Sequence, residues 1–344
     1  MAARESAIDL VTGGAGFIGS HVVELLVRGG RRVRVVDNLS TGRRENLPPA
    51  IQGNAVEFVE GDIADPRVCE TVVAGCERVF HLAALADIVP SIQRPQAYFR
   101  ANVDGTFAIC EAARDAGISR LVYAASSTCY GIPDHYPTPE TAELRPQFPY
   151  ALTKSLGEQI VMHWAQVYGL HAVALRFFNV YGPRARTTGS YGAVFGVFLA
   201  QLLAGEPLTV VGDGNQTRDF TFVTDVARAF LAAAEKAPRG AVYNVGTGRD
   251  VSVNRLVELL GANRVVHLPK RPGEPDCTLA DISRIRRELG WEAEVPIEKG
   301  VAIMLENIDH WRDAPVWTAG RIQEATRDWF RYLGQDAAGG SSGE

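Results

Sequence analysis

A tyrosine and a lysine stand four residues apart in this sequence, as Tyr150 and Lys154. On a helix, residues at this spacing share one face. A free tyrosine titrates near ~10, so a neutral-pH base requires its pKa to fall by about 3 units, or ~4 kcal/mol. The lysine ammonium and a cationic cofactor could stabilise the phenolate by that amount. The spacing is common on helix surfaces, so the pair predicts a catalytic base only if a cofactor site accompanies it.

A glycine pattern near the N-terminus predicts that cofactor site. Gly13, Gly16 and Gly19 lie between a short apolar strand over 7–12 and an apolar helical pattern over 17–27. Glycines at these positions permit a tight turn, approach of a pyrophosphate to the helix N-terminus, and close helix–sheet packing. Asp37 ends the next strand and would bind the adenosine ribose hydroxyls. Such a carboxylate repels a 2′-phosphate, so the pattern favours NAD over NADP, although Arg43 and Arg44 follow it.

The elements that must position these residues alternate along the chain. Apolar runs predict strands over 7–12, 32–36, 56–59, 78–82, 121–125 and 172–177, with helical segments between them. This alternation predicts an α/β, Rossmann-type doubly wound parallel sheet with helices on both faces. After Gly182-Pro183 the alternation ends. We expect a NAD-binding domain over 1–182 with a returning strand near 241–245. We also expect a smaller mixed substrate lobe mainly over 183–311, an extra helix over 312–336 and a disordered tail over 337–344.

Composition limits the classes of function. The 344 residues are 46% hydrophobic and carry a formal net charge of −5. The sequence has neither a basic patch that predicts nucleic-acid binding nor an apolar run of membrane-spanning length. The five cysteines are scattered, and none forms a Cys/His cluster with metal-ligand spacing. We therefore expect a cytoplasmic protein with reduced thiols, no metal and no membrane or nucleic-acid partner.

Several further motifs occur in order and carry a resemblance to a known family. They are TGGAGFIG at 12–19, HLAA at 81–84, NVDGT at 102–106, SSTCYG at 126–131, YxxxK at 150–154, RFFNVYGP at 176–183 and NQTRD at 215–219. Together they resemble the extended short-chain dehydrogenase/reductases, in the nucleotide-sugar epimerase and dehydratase branch. The match runs from about residue 8 to residue 311. It implies an NAD-dependent, UDP-glucose 4-epimerase-like enzyme.

The resemblance implies roles for individual residues. Tyr150 would exchange a proton with a sugar hydroxyl, Lys154 would bind the nicotinamide ribose, and Ser126 would hydrogen-bond the same sugar oxygen. The cofactor site would comprise Gly13, Gly16, Phe17, Ile18, Gly19, Asp37, Asn38, Asp62, Ile63, Leu82, Ala83, Ala84, Asn102, Tyr150 and Lys154. Asp62 could cap the adenine or serve as a helix N-cap.

The resemblance also implies a nucleotide-sugar diphosphate as substrate, with a UDP-sugar expected. Asn179, Arg218 and Arg271 resemble the family's diphosphate-binding residues, and a guanidinium binds phosphate oxygens bidentately. Asp276 would contact the nucleoside ribose. Thr278 would flank C2 of the sugar, where a small residue leaves room for an N-acetyl group.

The residues after Ser126 help to choose the reaction. Sugar 4,6-dehydratases of this family have acidic residues where this chain has Ser127 and Thr128, because elimination of water needs an acid and a base. Cys129 lies one residue away from the position of a 3,5-epimerase cysteine and is expected to face the core. The sequence therefore predicts 4-epimerisation through a transient 4-keto sugar.

More than one substrate and reaction remain open at this point. The sugar could be a hexose, an N-acetylhexosamine or a hexuronate, the last because Arg184 and Arg186 follow the Gly-Pro pair. The segment 85–87 is expected to line the sugar pocket. The competing hypotheses are a CDP-sugar 2-epimerase, a 4-ketoreductase or dehydratase of the same family, and a non-catalytic binder of nucleotide sugars. Helices around 97–115 and 150–168 resemble the family's homodimer interface.

Overall fold

The computed structural model describes residues 7–47, 55–187 and 192–334, so the tail predicted over 337–344 lies outside the described residues. The strands are β1 Ile8–Thr12, β2 Arg32–Asp37, β3 Val56–Glu60, β4 Cys76–His81, β5 Arg120–Ser126, β6 Ala172–Phe177, β7 Asn179–Tyr181, β8 Leu208–Val211, β9 Thr217–Arg218, β10 Phe220–Phe222, β11 Val242–Val245, β12 Val251–Ser252, β13 Val265–Leu268 and β14 Cys277–Thr278. The α-helices are α1 Phe17–Arg28, α2 Pro66–Val73, α3 Ile88–Gln93, α4 Pro95–Phe99, α5 Gly105–Asp115, α6 Pro149–Val167, α7 Val194–Leu203, α8 Val223–Lys236, α9 Val253–Leu259, α10 Ser283–Leu289, α11 Ile297–Glu306, α12 Ala319–Ala325 and α13 Arg327–Leu333.

Seven strands form one parallel sheet in the order β11-β6-β5-β4-β1-β2-β3. From β1 the chain adds β2 and β3 on one side, and it then returns to add β4, β5 and β6 on the other side. This change in strand order between β1 and β4 makes the sheet doubly wound. The predicted fold class is therefore confirmed. Strand β11 lies far along the chain, yet it pairs with β6 and forms the edge of the sheet.

Helices cover both faces of the sheet, which explains why its strands are apolar on both sides. On one face α1 packs against α8, and this core includes Val22, Leu26 and Phe230. On the other face α2, α5 and α6 enclose a second core that includes Ile109 and Val161. Helices α8 and α10 thus pack on the cofactor-binding sheet although they follow residue 182. No helix in the described parts of the chain is long and apolar enough to cross a membrane.

A smaller lobe is built from the segments between these returning elements. It contains the pairs β7–β10 and β8–β13, and a three-stranded sheet in the order β12-β9-β14. Its core is formed largely by α7, α9 and α11, and Trp311 is among its fully buried residues. The strand pair β9–β14 places residues 217–218 beside residues 277–278. Two distant sequence motifs therefore meet in one small sheet.

The segment after Trp311 forms two short helices, α12 and α13, where the sequence predicted one. The break falls at Thr326, whose backbone N–H and hydroxyl both donate to the Ile322 carbonyl. Thr326 and Ile322 are both buried, and α13 contacts α3 of the cofactor-binding domain. This segment, residues 312–334, is called the C-terminal extension below.

Candidate active site

The glycine turn between β1 and α1 has the geometry of a dinucleotide cradle. Gly13 has φ +69°, and a Cβ there would lie 2.8 Å from Ala83. A Cβ on Gly19 would lie 2.1 Å from the Gly13 carbonyl oxygen. Helix α1 begins at Phe17, directly after its N-cap residue Gly16. Among the described residues, no side chain caps this N-terminus, and its first turn contains no acidic residue. The first N–H groups, including that of Ile18, therefore remain available to a pyrophosphate.

Asp37 is held at the end of β2 by backbone donors. Its carboxylate accepts hydrogen bonds from Ala15 N at 3.1 Å and Leu39 N at 2.9 Å. Burial raises its pKa, while these two hydrogen bonds oppose the rise. The neighbouring arginines are engaged elsewhere, since Arg43 donates to Thr187 and Arg44 pairs with Glu60. The site therefore fits a ribose with a free 2′-hydroxyl, as NAD has.

A buried hydrogen-bond network joins the turns after β1 and β4. The Thr106 hydroxyl donates to the Asn102 carbonyl, so it can accept from His81 Nε2 at 3.0 Å. His81 Nδ1 is then the acceptor for the Thr12 hydroxyl at 2.7 Å. Thr12 Oγ1 in turn accepts from the backbone N–H groups of residues 82 and 83, each at 3.1 Å. Burial lowers the pKa of His81 to about 3, so the network is neutral at physiological pH.

The remaining predicted cofactor residues occupy the same region with contacts of their own. Asn38 is exposed, and its side chain accepts from Ser40 N. Ile63 is buried in the core beside α5, and Leu82, Ala83 and Ala84 follow β4 directly. The Asn102 amide bonds both Leu85 backbone groups and the Thr153 hydroxyl. Asn102 therefore fixes the loop after β4 against α6.

Asp62 is not a helix N-cap, so one of its two predicted roles is wrong. Helix α2 is capped by Asp65, which accepts from Arg67 N at 3.0 Å. Asp62 lies three residues earlier, accepts from Ala64 N in a turn, and pairs with Arg100 at 3.2 Å. The carboxylate of Asp62 thus lies in the loop after β3.

The three predicted catalytic residues come from two neighbouring elements. Ser126 ends β5, and Tyr150 and Lys154 lie on the first two turns of α6. Helix α6 packs on β5 and on the 3₁₀ turn Ser127–Tyr130. Cys129 in that turn is fully buried, as expected, and its thiol donates to the Ala151 carbonyl at 3.6 Å. The carboxyl end of a parallel strand is where α/β sheets place reacting ligands.

Burial shifts the pKa values of the tyrosine and the lysine in opposite directions. Burial raises the pKa of Tyr150 to about 12, and hydrogen bonding with Ser126 opposes this rise. Burial lowers the pKa of Lys154 to about 8. Its ammonium lies 4.3 Å from the centre of the Tyr123 ring, a cation–π contact. The protein alone does not make Tyr150 a base at neutral pH, so a bound cationic nicotinamide ring would have to lower the tyrosine pKa.

A second layer of buried charge holds α6 in place. Arg176 on β6 forms a two-pronged ion pair with Glu158, at 2.5 and 2.8 Å. The same guanidinium donates to the Tyr130 hydroxyl, which donates to Asn244 at 2.7 Å. This chain of contacts ties α6, the turn after Ser126, and strands β6 and β11 together. It fixes the positions of Ser126 and Tyr150 relative to each other.

The predicted phosphate-binding arginines converge on one acid in the smaller lobe. Arg218 Nη2 lies 2.9 Å from Glu274 Oε1, and Arg271 Nη1 lies 3.6 Å from Glu274 Oε2. Both arginine side chains are only 10% exposed. Two guanidinium groups sharing one carboxylate keep a net positive charge, which suits a dianionic diphosphate.

The remaining predicted substrate residues separate into two groups. The Thr278 hydroxyl donates to Asn179 Oδ1 at 2.9 Å, and Thr278 lies beside Arg218 in the β9–β14 pair. The Asp276 carboxylate instead pairs with Lys270 at 2.5 Å on the surface, where its side chain is 74% exposed. The structure therefore brings Asn179, Thr278 and Arg218 together but directs Asp276 away from the two arginines.

Three further features beside Tyr150 could not be read from motif positions. The Tyr98 and Phe148 rings lie 6.4 Å from the Tyr150 ring, one edge-on and one stacked. Asp87 forms a 2.5 Å ion pair with Arg186 across a long sequence separation, and Tyr98 Oη accepts from Asp87 N. The sequence signals for this pair were the segment 85–87, expected to line the sugar pocket, and the arginines that follow Gly182-Pro183. They did not reveal that the two charges meet.

Residues 7–47, 55–187 and 192–334 contain no group of three or more His, Cys, Asp or Glu side chains arranged to hold a metal ion.

The chain is similar to known proteins over most of its length. The profile of the NAD dependent epimerase/dehydratase family matches residues 10–246. A UDP-glucose 4-epimerase of Mycolicibacterium smegmatis is 38% identical over 304 residues, covering 86% of this chain and 97% of that protein. A dTDP-glucose 4,6-dehydratase of Streptomyces niveus is 31% identical over 348 residues, covering 97% and 98%.

A solved structure gives the same result. The Thermotoga maritima UDP-glucose 4-epimerase, determined with UDP-glucose, has a TM-score of 0.82 and 36% identity, covering 89% of this chain and 99% of that one. The predicted family is therefore confirmed. The chain belongs to the NAD-dependent epimerase/dehydratase family of extended short-chain dehydrogenase/reductases and is a UDP-glucose 4-epimerase-like, NAD-dependent enzyme of nucleotide-sugar chemistry.

Proposed function

We propose that the protein is a UDP-sugar 4-epimerase that inverts C4 of a hexose, an N-acetylhexosamine or a hexuronate. The observation that carries the proposal is the combination of Ser126, Tyr150 and Lys154 with hydroxyl side chains at 127 and 128. This set can move one proton at one sugar carbon. It has no acid at 127 or 128 for eliminating a neighbouring hydroxyl.

Each catalytic side chain has one task in this proposal. The glycine turn and Asp37 would hold NAD, which would supply reversible hydride chemistry at C4 of the sugar. Tyr150 removes the proton from the 4-hydroxyl and later gives it back, while Ser126 hydrogen-bonds the same oxygen. Lys154 binds the nicotinamide ribose, and its charge favours the phenolate form of Tyr150. The arginines hold the diphosphate, so the 4-keto sugar can turn without leaving the site.

Dehydration is the nearest competing reaction, because one relative carries that name. The Thr128 hydroxyl lies 2.8 Å from Ser126 Oγ, so it belongs to the hydrogen-bond shell of that serine. Asp87 contributes a carboxylate to the Tyr150 side of the site, but Arg186 engages it. Burial raises the pKa of Asp87 and Arg186 opposes this rise, but the carboxylate is held in the ion pair and would have to leave Arg186 to reach a leaving hydroxyl. The contacts therefore favour epimerisation.

The charges around the sugar pocket favour a neutral sugar within the proposed range. Arg186 Nη1 lies 2.5 Å from Asp87 Oδ2. A hexuronate carboxylate would therefore have to compete with Asp87 for Arg186. Thr278 leaves space beside C2 because it is small, and its hydroxyl can rearrange from Asn179 toward a substrate group. We therefore rank UDP-hexose and UDP-N-acetylhexosamine above UDP-hexuronate.

The test is incubation of the NAD-loaded protein with UDP-glucose, UDP-GlcNAc and UDP-glucuronate, with the products followed by proton NMR. We expect conversion of at least one substrate to its C4 epimer at constant mass and without net NADH formation. Loss of the mass of one water would indicate a dehydratase, and stoichiometric reduction of NAD to NADH with formation of a keto sugar would indicate a ketoreductase working in the oxidative direction.

A 2-epimerase and a non-catalytic binder would each give a different outcome. If the protein epimerises C2 of a CDP-sugar and none of the three UDP-sugars reacts, it is a CDP-sugar 2-epimerase and the proposal is wrong. Absence of turnover with all these substrates, and no effect of Tyr150→Phe on ligand binding, would favour a non-catalytic binder.

A further inference from the structure

The C-terminal extension places a tryptophan between the two halves of the active site. Trp329 on α13 is 3% exposed, and its indole Nε1 donates to the Pro272 carbonyl at 2.8 Å. Pro272 follows Arg271 directly, so this hydrogen bond fixes the backbone next to a predicted phosphate-binding residue. A buried tryptophan whose N–H is satisfied makes a rigid wall.

One side of the indole supports Arg271. The guanidinium carbon of Arg271 lies 5.3 Å from the centre of the Trp329 ring, within cation–π distance. The contact keeps the guanidinium near the indole, while Arg271 Nη1 remains 3.6 Å from Glu274 Oε2. Without the ring, we expect Arg271 to move toward the carboxylate, because that ion pair is longer than an ideal one.

The indole also contacts the segment that carries the catalytic tyrosine. The Phe148 ring lies 6.3 Å from the Trp329 ring at an angle of 50°. Phe148 in turn stacks on Tyr150, with the planes 11° apart. A second connection to the cofactor-binding domain is the 3.0 Å hydrogen bond from Gln93 to Asp328, the residue before Trp329.

We infer that Trp329 is a positioning residue for the nucleotide-sugar site, holding Arg271 in place for the diphosphate against the wall formed by Phe148. The inference rests on the proposed function in one respect, the binding of a diphosphate by Arg271. It assigns to the C-terminal extension a role in substrate affinity. Trp329 itself touches no reacting atom in the proposed reaction.

The experiment compares Trp329→Ala, Trp329→Phe and Phe330→Ala with the unmodified protein. Phe330 is the matched control, because it is an aromatic residue of the same helix that is 39% exposed. Calorimetry with UDP, CDP and dTDP measures nucleoside diphosphate affinity, and thermal unfolding and bound-NAD content report on the fold. Steady-state kinetics on the substrate found by NMR separates KM from kcat.

We expect Trp329→Ala to weaken binding of the preferred nucleoside diphosphate by about tenfold and to raise KM by the same factor. Its kcat should fall less, because Tyr150 keeps its contacts with Ser126 and Tyr98. Trp329→Phe should recover most of the affinity, since a phenyl ring keeps the aromatic face for Arg271. Phe330→Ala should match the unmodified protein.

Two results would overturn the inference. One is a Trp329→Ala protein that unfolds at lower temperature but binds nucleoside diphosphate as tightly as the unmodified protein. The other is an unmodified protein that binds none of the three nucleotides. A protein that loses nucleotide affinity on Trp329→Ala, yet epimerises no substrate, would support the positioning role and refute the proposed function alone.

Discussion

The two ends of the active site are built from opposite kinds of interaction. The cofactor end relies on buried hydrogen bonds, with a neutral His81 between two threonines and the Asp37 carboxylate held by backbone N–H groups. The nucleotide end relies on charge, with Arg218 and Arg271 sharing Glu274. A resident cofactor suits a preformed, hydrogen-bonded cradle, because nothing must be displaced before it binds. A substrate that enters and leaves suits paired charges that can exchange partners.

The largest expected effect comes from removing the proton carrier at the boundary of the two ends. Tyr150→Phe should lower kcat by about 10³-fold, because general acid–base catalysis contributes on this scale. KM and bound NAD should change little, since the ring and its stacking on Phe148 remain. Steady-state kinetics and NAD release on denaturation measure both. Turnover within tenfold of the unmodified enzyme would mean that another group moves the proton.

The nucleotide end should respond through affinity. Arg218→Ala should raise the Kd for the nucleoside diphosphate by about 10² and leave kcat nearly unchanged, since a hydrogen bond to a charged group contributes ~1.5–3 kcal/mol. Glu274→Gln provides the matched test, because it removes the competing charge and keeps the shape. That variant should bind nucleoside diphosphate a few-fold more tightly while unfolding at lower temperature. Weaker binding in Glu274→Gln would show that the acid orients the arginines more than it competes with the substrate.

In the proposed function the sugar lies between the two ends, and the Asp87–Arg186 ion pair should determine the preference for a sugar carboxylate. Asp87→Asn should raise kcat/KM for UDP-glucuronate relative to UDP-glucose by about tenfold, because it removes the competitor for Arg186. The ratio of the two values, measured in one preparation, checks this. An unchanged ratio would place the sugar carboxylate away from Arg186.

The smallest effect on turnover is expected from the pH dependence of folding stability. This dependence tests the neutral His81 network at the cofactor end directly. Burial lowers the pKa of His81 from 6.5 to about 3, so below pH 6.5 the unfolded chain takes up a proton that the folded protein refuses. The stability from neutral His81 is therefore present above pH 6.5 and is lost as the pH falls toward 3. The loss is about 2 kcal/mol between pH 6.5 and 5. The pKa of His21, lowered by burial to about 4, adds in the same direction.

Thermal unfolding between pH 7 and 4.5 measures this dependence. His81→Asn should begin less stable, because the Thr12 and Thr106 contacts weaken, but its unfolding temperature should fall less steeply with acid. A parallel decline in both proteins would assign the acid sensitivity to other groups.

Local pattern was sufficient for the cofactor half of the molecule. The glycine turn, Asp37 and the alternating strands follow from short-range requirements, because each motif stands beside the element that uses it. Cys129 is buried as expected, but it lies in the 3₁₀ turn after β5, so strand alternation is not the reason for its burial.

Features that depend on contacts between distant segments could not be predicted in this way. The Asp87–Arg186 pair joins loops 99 residues apart, and Glu274 meets Arg218 across 56 residues. The role of Asp62 was also ambiguous, because three acids lie within 60–65 and only the backbone geometry identifies Asp65 as the cap. The break at Thr326 follows from packing of Ile322 and Trp329 against different neighbours, which periodicity does not reveal.

The outermost strand of the large sheet, β11, has a consequence for how such an enzyme can be built. Because Val242–Val245 pairs with β6, the nascent chain leaves the β6 edge uncovered until residue 245 has emerged from the ribosome. The first part of the smaller lobe, including α7 and β8, is thus synthesised before the sheet is complete. An exchange of substrate lobes between relatives, by recombination or by design, therefore needs junctions on both sides of the returning segment from α8 to β11, because parts of the lobe precede and follow that segment. A single cut near residue 182 would separate β6 from the strand that protects it.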